Sequence, residues 1–315
     1  MNINRAPINF PEQVGRFSAE LINCDHFKRL KKISFLGAIE RFGNKENSKS
    51  VSAGSRYDHS LEVARLIVSL GNFLNLTAGE LRLAVTHALL HDIGHGPFSH
   101  STEYFFSKRF KIDHHLILHE LIEDGSSLIS NILRSNNIWF DYRRFLRQPS
   151  AFPSVRHLFY APINVDTIEG ILRSANFFGI KTSIDSAAII NSIARKSNIA
   201  VKPLDLFWAL KSQVYNNYIY NAERSIFDAV LCDALFSIED HVHPKDFLLE
   251  DDQFEDKYRE PIQRQLELNL RSKKRSLSRK RDFKIDHRVA PRKLPNLSER
   301  YIEARRTHAG SRAGN

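Results

Sequence analysis

Apolar residues recur every three or four positions along most of this chain, the mark of helices with one buried face. The spacing predicts a helix over 18–41, with Leu21, Phe27, Leu30, Ile33, Leu36 and Ile39 inward and Lys and Arg between them. It predicts an amphipathic helix over 60–74 and another over 77–90, the second opened by a Thr77–Glu80 capping box. Shorter runs follow over 101–110, up to Ile122, over 126–133 and over 139–152, the last aromatic and basic through Arg143, Arg144 and Arg147. Helices over 165–177, 184–194 and a long one over 204–238 complete an all-α fold. Four regions follow: a polar, proline-containing arm (1–16), a helical body (17–240), an acidic linker and helical extension (241–270), and a basic tail (271–315). The polar stretch 43–54 reads as an exposed loop, either plain surface or a lid, since it leads straight into Arg56 and His59.

One stretch breaks the apolar pattern with chemistry. Residues 87–100 read HALLHDIGHGPFSH. An apolar run carries His91 and Asp92 to a helix end, where Gly94, Gly96 and Pro97 forbid continuation. An aspartate at a helix C-terminus opposes the helix dipole. His91, Asp92, His95 and His100 crowd into ten residues, so a compensating cation is expected. Imidazole and carboxylate together suit a divalent metal. His91 and His95, four apart, share a face only if the helix reaches that far.

HDIGHGPFSH resembles the HD superfamily of metal-dependent phosphohydrolases, and within it the branch of dNTP triphosphohydrolases and SAM-and-HD-domain proteins. The resemblance runs from about residue 25 to about 240. It implies an HD-domain helical fold and metal ligands His59 (within Arg56-Tyr57-Asp58-His59-Ser60-Leu61), His91, Asp92 and Asp166 (within Asn164-Val165-Asp166). It implies one divalent ion, drawn from Mn, Mg, Fe, Co, Ni and Zn, and a nucleotide substrate. It also implies His95, Glu103 and His114 as the groups that protonate the leaving oxygen, with His115 and His119 as alternatives to His114. Arg56 is the expected phosphate holder, because its planar fork suits phosphate, and His100 is expected to line the same pocket. Three positions depart from the family pattern: Phe35 stands where members carry a sugar-contacting Gln, and Thr167 and Gly170 replace phosphate-contacting basic and Tyr residues. Tyr220-Asn221-Ala222 lacks the His of a common Tyr-x-His step.

Charge redirects the question of partners. The chain has 315 residues and a formal net charge of +10. The last 45 carry 15 Lys and Arg against 4 Asp and Glu, which leaves the first 270 nearly neutral. The high pI therefore belongs to the tail, which suits nucleic acid or another acidic partner, and not to the body. Two cysteines, Cys24 and Cys232, form no disulfide or ligand pattern and fit a reducing, cytoplasmic setting. No signal peptide and no membrane span is expected. The resemblance implies a homo-oligomer. Three functions remain open: a dNTP-type triphosphohydrolase, a phosphodiesterase or nuclease that uses the tail to hold nucleic acid, and a non-catalytic nucleotide-sensing scaffold.

Overall fold

The structure is a computed structural model that describes residues 10–43, 52–194, 201–272, 281–288 and 297–305. Most of the expected arm, most of the 43–54 loop and most of the basic run after Arg271 lie outside the described residues. Helices dominate: α1 (Glu12–Asn23), α2 (Asp25–Arg29), α3 (Ala38–Gly43), α4 (Arg56–Leu74), α5 (Ala78–Leu90), α6 (His100–Phe110), α7 (His114–Glu123), α8 (Leu128–Ser135) and α9 (Trp139–Arg147). They continue as α10 (Pro153–Tyr160), α11 (Val165–Phe177), α12 (Ser186–Ala194), α13 (Val201–Val214), α14 (Ala222–Ser237), α15 (Asp251–Lys257) and α16 (Arg259–Ser272). A two-stranded antiparallel pair, β1 (Arg281–Ile285) and β2 (Tyr301–Arg305), is bridged in part by the single turn α17 (Leu297–Arg300).

Two apolar cores share the chain. The larger gathers α1, α4, α5 and the helices from α7 to α13 around Phe17, Phe27, Ile67, Leu89, Tyr142 and Phe207. The smaller is built on phenylalanines, with Phe42, Phe98, Phe105, Phe106, Phe247 and Phe254 from α3, α6 and the C-terminal extension. Burying each such side chain contributes on the order of 2 kcal/mol. The turn after α5 joins them, because Ile93 enters the larger core and Phe98 the smaller. The His- and Asp-rich turn is thereby clamped on both sides.

Several elements match the apolar spacing: α11 has the predicted bounds, and Thr77 caps α5 with Glu80 closing the box at 2.9 Å. Three expectations are corrected. The predicted 18–41 helix is broken at Cys24, whose ψ of 150° is extended, and again after Lys32, where Ser34 forms an isolated bridge to Ser55. Leu21, Phe27, Leu30, Ile33 and Ile39 are buried all the same, so helical periodicity survived the breaks. The predicted 204–238 helix is interrupted by a π-helical turn at Tyr215–Ile219. Finally, the region read from charge as a basic tail (271–315) carries structure in 281–288 and 297–305, with β1, α17 and β2. Phe283 and Tyr301 pack on the buried Trp208 of α13 at ring distances of 5.5 and 5.2 Å, and Arg300 pairs with Asp205 at 2.7 Å. Mixed apolar and ionic docking holds these residues despite the charge of the surrounding sequence.

Candidate metal centre

His59 lies on the first turn of α4, His91 caps the end of α5, Asp92 follows it, and Asp166 lies on the first turn of α11. α4 packs along α5 and α11 along α4, so side chains from three segments remote in sequence come together. His59 Nε2 is 3.0 Å from Asp166 Oδ1, 3.3 Å from His91 Nε2 and 3.7 Å from Asp92 Oδ2. His91 Nε2 is 3.5 Å from Asp92 Oδ1 and 3.8 Å from Asp166 Oδ1. Ligand atoms bonded to one ion at about 2.1 Å lie roughly 3.0–3.4 Å apart when adjacent. The His59, His91 and Asp166 separations are close to the edges of a single coordination shell, with Asp92 beside them at 3.5 and 3.7 Å.

The groups behind the ligands also fit a metal. A ligating imidazole usually donates its second N–H to an oxygen that fixes ring and tautomer. His59 Nδ1 meets Glu169 Oε2 at 2.5 Å, and His91 Nδ1 meets the Ala88 carbonyl at 2.9 Å. Both Nε2 atoms then face the centre. Glu169 is gripped in turn by Arg173, whose Nη2 donates to Oε1 at 2.7 Å. Burial alone would lower the His59 pKa, but Glu169, Asp166 and Asp92 outweigh it and push it up to about 9. Asp166 is destabilised as an anion by its surroundings, yet the hydrogen bond to His59 and the nearby imidazoles bring it down to about 2. The carboxylates around His59 thus favour positive charge at the centre of the cage.

Sequence reasoning missed Glu169 and Arg173. Their signal was present: Glu169 stands three residues after Asp166 and Arg173 four after Glu169, one face of one helix. The adjacent His87 is no ligand. It is buried against Tyr142, Phe145 and Phe159, and burial drives its pKa to about 3.

A second cluster touches the first through Asp92. His95 Nε2 lies 3.2 Å from Asp92 Oδ1 without the alignment of a hydrogen bond, and both ring nitrogens are buried and unpartnered among the described residues. Because α5 stops at Leu90, His95 does not share a helical face with His91. His95 stacks on His114 at 4.1 Å. Glu103 binds His100 Nδ1 at 2.7 Å, the His114 amide at 3.0 Å and the His114 ring. Burial raises the Glu103 pKa, but the two imidazoles hold it far below the ordinary carboxylate range. Burial and Arg56 hold His95 well below the usual imidazole value. Glu103 thus sits between His100 and His114 and orients both rings.

Arg56 is turned inward, with a 2.9 Å ion pair to Asp92, a 2.9 Å hydrogen bond to Ser99 Oγ and a 3.2 Å bond to the Phe35 carbonyl. Expected as a phosphate holder, it is engaged by the Asp92 carboxylate. The departures have structural uses. Phe35 lies against the His59 ring at 4.8 Å and under Arg56 at 4.8 Å, and a Cβ on Gly170 would meet its Cζ at 3.2 Å. Gly170 therefore makes room for Phe35. The Thr167 hydroxyl is turned onto Asn164 in a helix cap. Gly94 and Gly96 have ordinary negative φ and serve close packing: a Cβ would lie 2.1 Å from the His114 carbonyl in one case and 2.6 Å from the Phe247 ring in the other.

Residues 56–156 match the family model of the HD domain. This stretch, which carries Arg56, His59, His91 and Asp92, is therefore similar to an HD domain. Among its relatives is MG461 of Mycoplasma genitalium, an uncharacterised protein 30% identical over 55% of this chain and 42% of its own length. YwfO of Bacillus subtilis, also uncharacterised, is 29% identical over 51% of this chain and 36% of its own. A deoxyguanosinetriphosphate triphosphohydrolase-like protein of Rickettsia typhi is 51% identical over 97 residues, 31% of this chain and 23% of that protein. The chain spans less than half the length of each of these relatives.

Proposed function

We propose that this protein hydrolyses a phosphoester of a nucleotide, with a deoxynucleoside triphosphate as the leading substrate class. The observation that carries this is the convergence of His59, His91 and Asp166, with Asp92 alongside, next to a Glu103-ordered pair of imidazoles. When bound, a divalent ion supplies Lewis acidity, acidifying water and withdrawing charge from a phosphoryl group. The chain's own residues do the rest. Glu169 and the Ala88 carbonyl keep both ligand imidazoles in register. Arg56 holds Asp92 and adds positive potential for an incoming phosphate. His114, aimed by Glu103 and backed by His95, holds the proton for the leaving oxygen, and the exposed His100 contacts substrate beside it. The name of the Rickettsia relative favours a triphosphate, while Phe35, Thr167 and Gly170 mean that sugar and phosphate are read differently here.

A chromatographic product assay tests this. Wild type and Asp92→Ala, each loaded with Mn, Mg, Co or Ni, meet dNTPs, NTPs, monophosphates, cyclic dinucleotides and single-stranded DNA. Nucleoside and tripolyphosphate from a dNTP, reduced about 100-fold or more in Asp92→Ala, is the expected result. Cleaved diesters beside intact triphosphates would replace it with a diesterase, and no product dependent on Asp92 would leave the binding-scaffold reading.

A further inference from the structure

The turn that carries the ligands to α6 is strained. Phe98 has φ of 55° and Ser99 φ of 53°, although neither is glycine. Side chains adopt such a conformation only when surrounding contacts impose it. Its hydrogen bonds lead away from the HD domain into the C-terminal extension, well past residue 156. Asp251, 7% exposed at the start of α15, accepts the Phe98 amide through Oδ1 at 2.7 Å and the Ser34 amide through Oδ2 at 2.9 Å. One carboxylate thus ties the strained turn to the extended segment that carries Phe35. The link continues inward. Ser99 Oγ donates to the Ser34 carbonyl at 2.6 Å and accepts from Arg56 Nε, and Arg56 Nη1 holds Asp92 Oδ2 at 2.9 Å. Arg29 secures the other end, donating to the His95 carbonyl at 2.8 and 2.9 Å and to the Leu248 carbonyl at 2.8 Å.

We infer that Asp251 is a positioning residue of the metal centre, setting the Phe98–Ser99 turn and the Ser34–Phe35 segment so that Arg56 aims at Asp92. This rests on the metal-dependent reading above. Both acceptor oxygens are used, so an amide, with one oxygen and an NH2, cannot replace the carboxylate. The extension is then part of the site and not an appendage to it.

The test uses the full chain and three variants: Asp251→Asn, Tyr258→Phe and Ser99→Ala. Tyr258→Phe is the comparison for simple loss of stability, since it removes a bond to Asp246 in the same extension without touching the turn. Manganese affinity is read by calorimetry, thermal midpoint by scanning calorimetry, and kcat and KM where a substrate is in hand. Asp251→Asn should weaken manganese binding about tenfold or more and lower kcat more than KM is changed. Tyr258→Phe should leave manganese affinity at the wild-type value even where its thermal midpoint falls as far. Ser99→Ala added to Asp251→Asn should cost less than Ser99→Ala alone, as expected for members of one linked set. Unchanged manganese affinity in folded Asp251→Asn, or an equal loss in Tyr258→Phe, overturns the inference. A wild type that takes up no manganese removes the metal-dependent reading itself and this inference with it.

Discussion

Glu169 is the residue whose role is most sharply defined. Its carboxylate faces His59 Nδ1 and is itself held by Arg173. Glu169→Gln keeps the shape and removes the charge, so metal affinity should fall about 10- to 100-fold with little change in fold. Calorimetric titration with manganese and a circular dichroism spectrum check both halves of that statement. Gly94→Ala should act differently. Its Cβ would lie 2.1 Å from the His114 carbonyl, so the start of α7 must move and His114 with it. Loss of several kcal/mol in urea unfolding is expected, on the scale of other overpacked cores; a stable variant would contradict the close approach. At this scale the sequence was a good guide to which side chains come together: His59, His91, Asp92 and Asp166 each sit in a short motif with its own chemistry, and the fold brings them within a few ångström of one another. Glu169 was harder to see because a lone Glu on a helix has no distinctive neighbours. The inward turn of Arg56 was hidden because it depends on Ser99 and on the Phe35 carbonyl, partners distant along the chain.

The helices of the body were readable from apolar spacing, and α11 was placed to the residue. The breaks were not, since residues at helical spacing stay buried across Cys24 and the Ser34–Ser55 bridge. Periodicity reports which face is inside and not whether the backbone is continuous. The extension around α15 offers a pH prediction. Asp246 is buried, which alone would raise its pKa, but the hydrogen bonds of Lys257 and Tyr258 outweigh that and lower it. A carboxylate with a depressed folded pKa stabilises fully above its unfolded value of about 3.9, and the contribution fades as pH falls through the folded value. Thermal midpoints of wild type and Tyr258→Phe should therefore be well separated at pH 6 and draw together as pH falls below the unfolded value. Parallel curves over that range would show that Asp246 is not the group involved.

For the whole molecule, the tail matters most. A break at Arg271 looks natural from charge alone, yet truncation there removes Phe283, Tyr301 and Arg300, which cover Trp208 and pair with Asp205. Such a truncation should lower the thermal midpoint, whereas one made after Arg305 keeps both strands. Of the Lys and Arg, truncation after Arg305 removes only Arg306 and Arg312, so nucleic-acid affinity and its salt dependence are properly compared between wild type and a variant with Lys273, Lys274, Arg275, Arg279 and Lys280 changed to Gln; an unchanged salt slope would remove the tail as a nucleic-acid arm. Charge counting missed the strands because two five-residue segments separated by fifteen residues carry little periodicity of their own. Among the described residues no helix is long and apolar enough to cross a membrane. The account as a whole depends on one centre assembled from α4, the end of α5 and α11. Metal stoichiometry, by elemental analysis and manganese titration of wild type and Asp166→Ala, tests it most directly. One ion per chain, bound at least about 100-fold more weakly by Asp166→Ala, is the predicted result. A wild type that binds no divalent metal, or an Asp166→Ala protein that binds it equally well, would contradict the account.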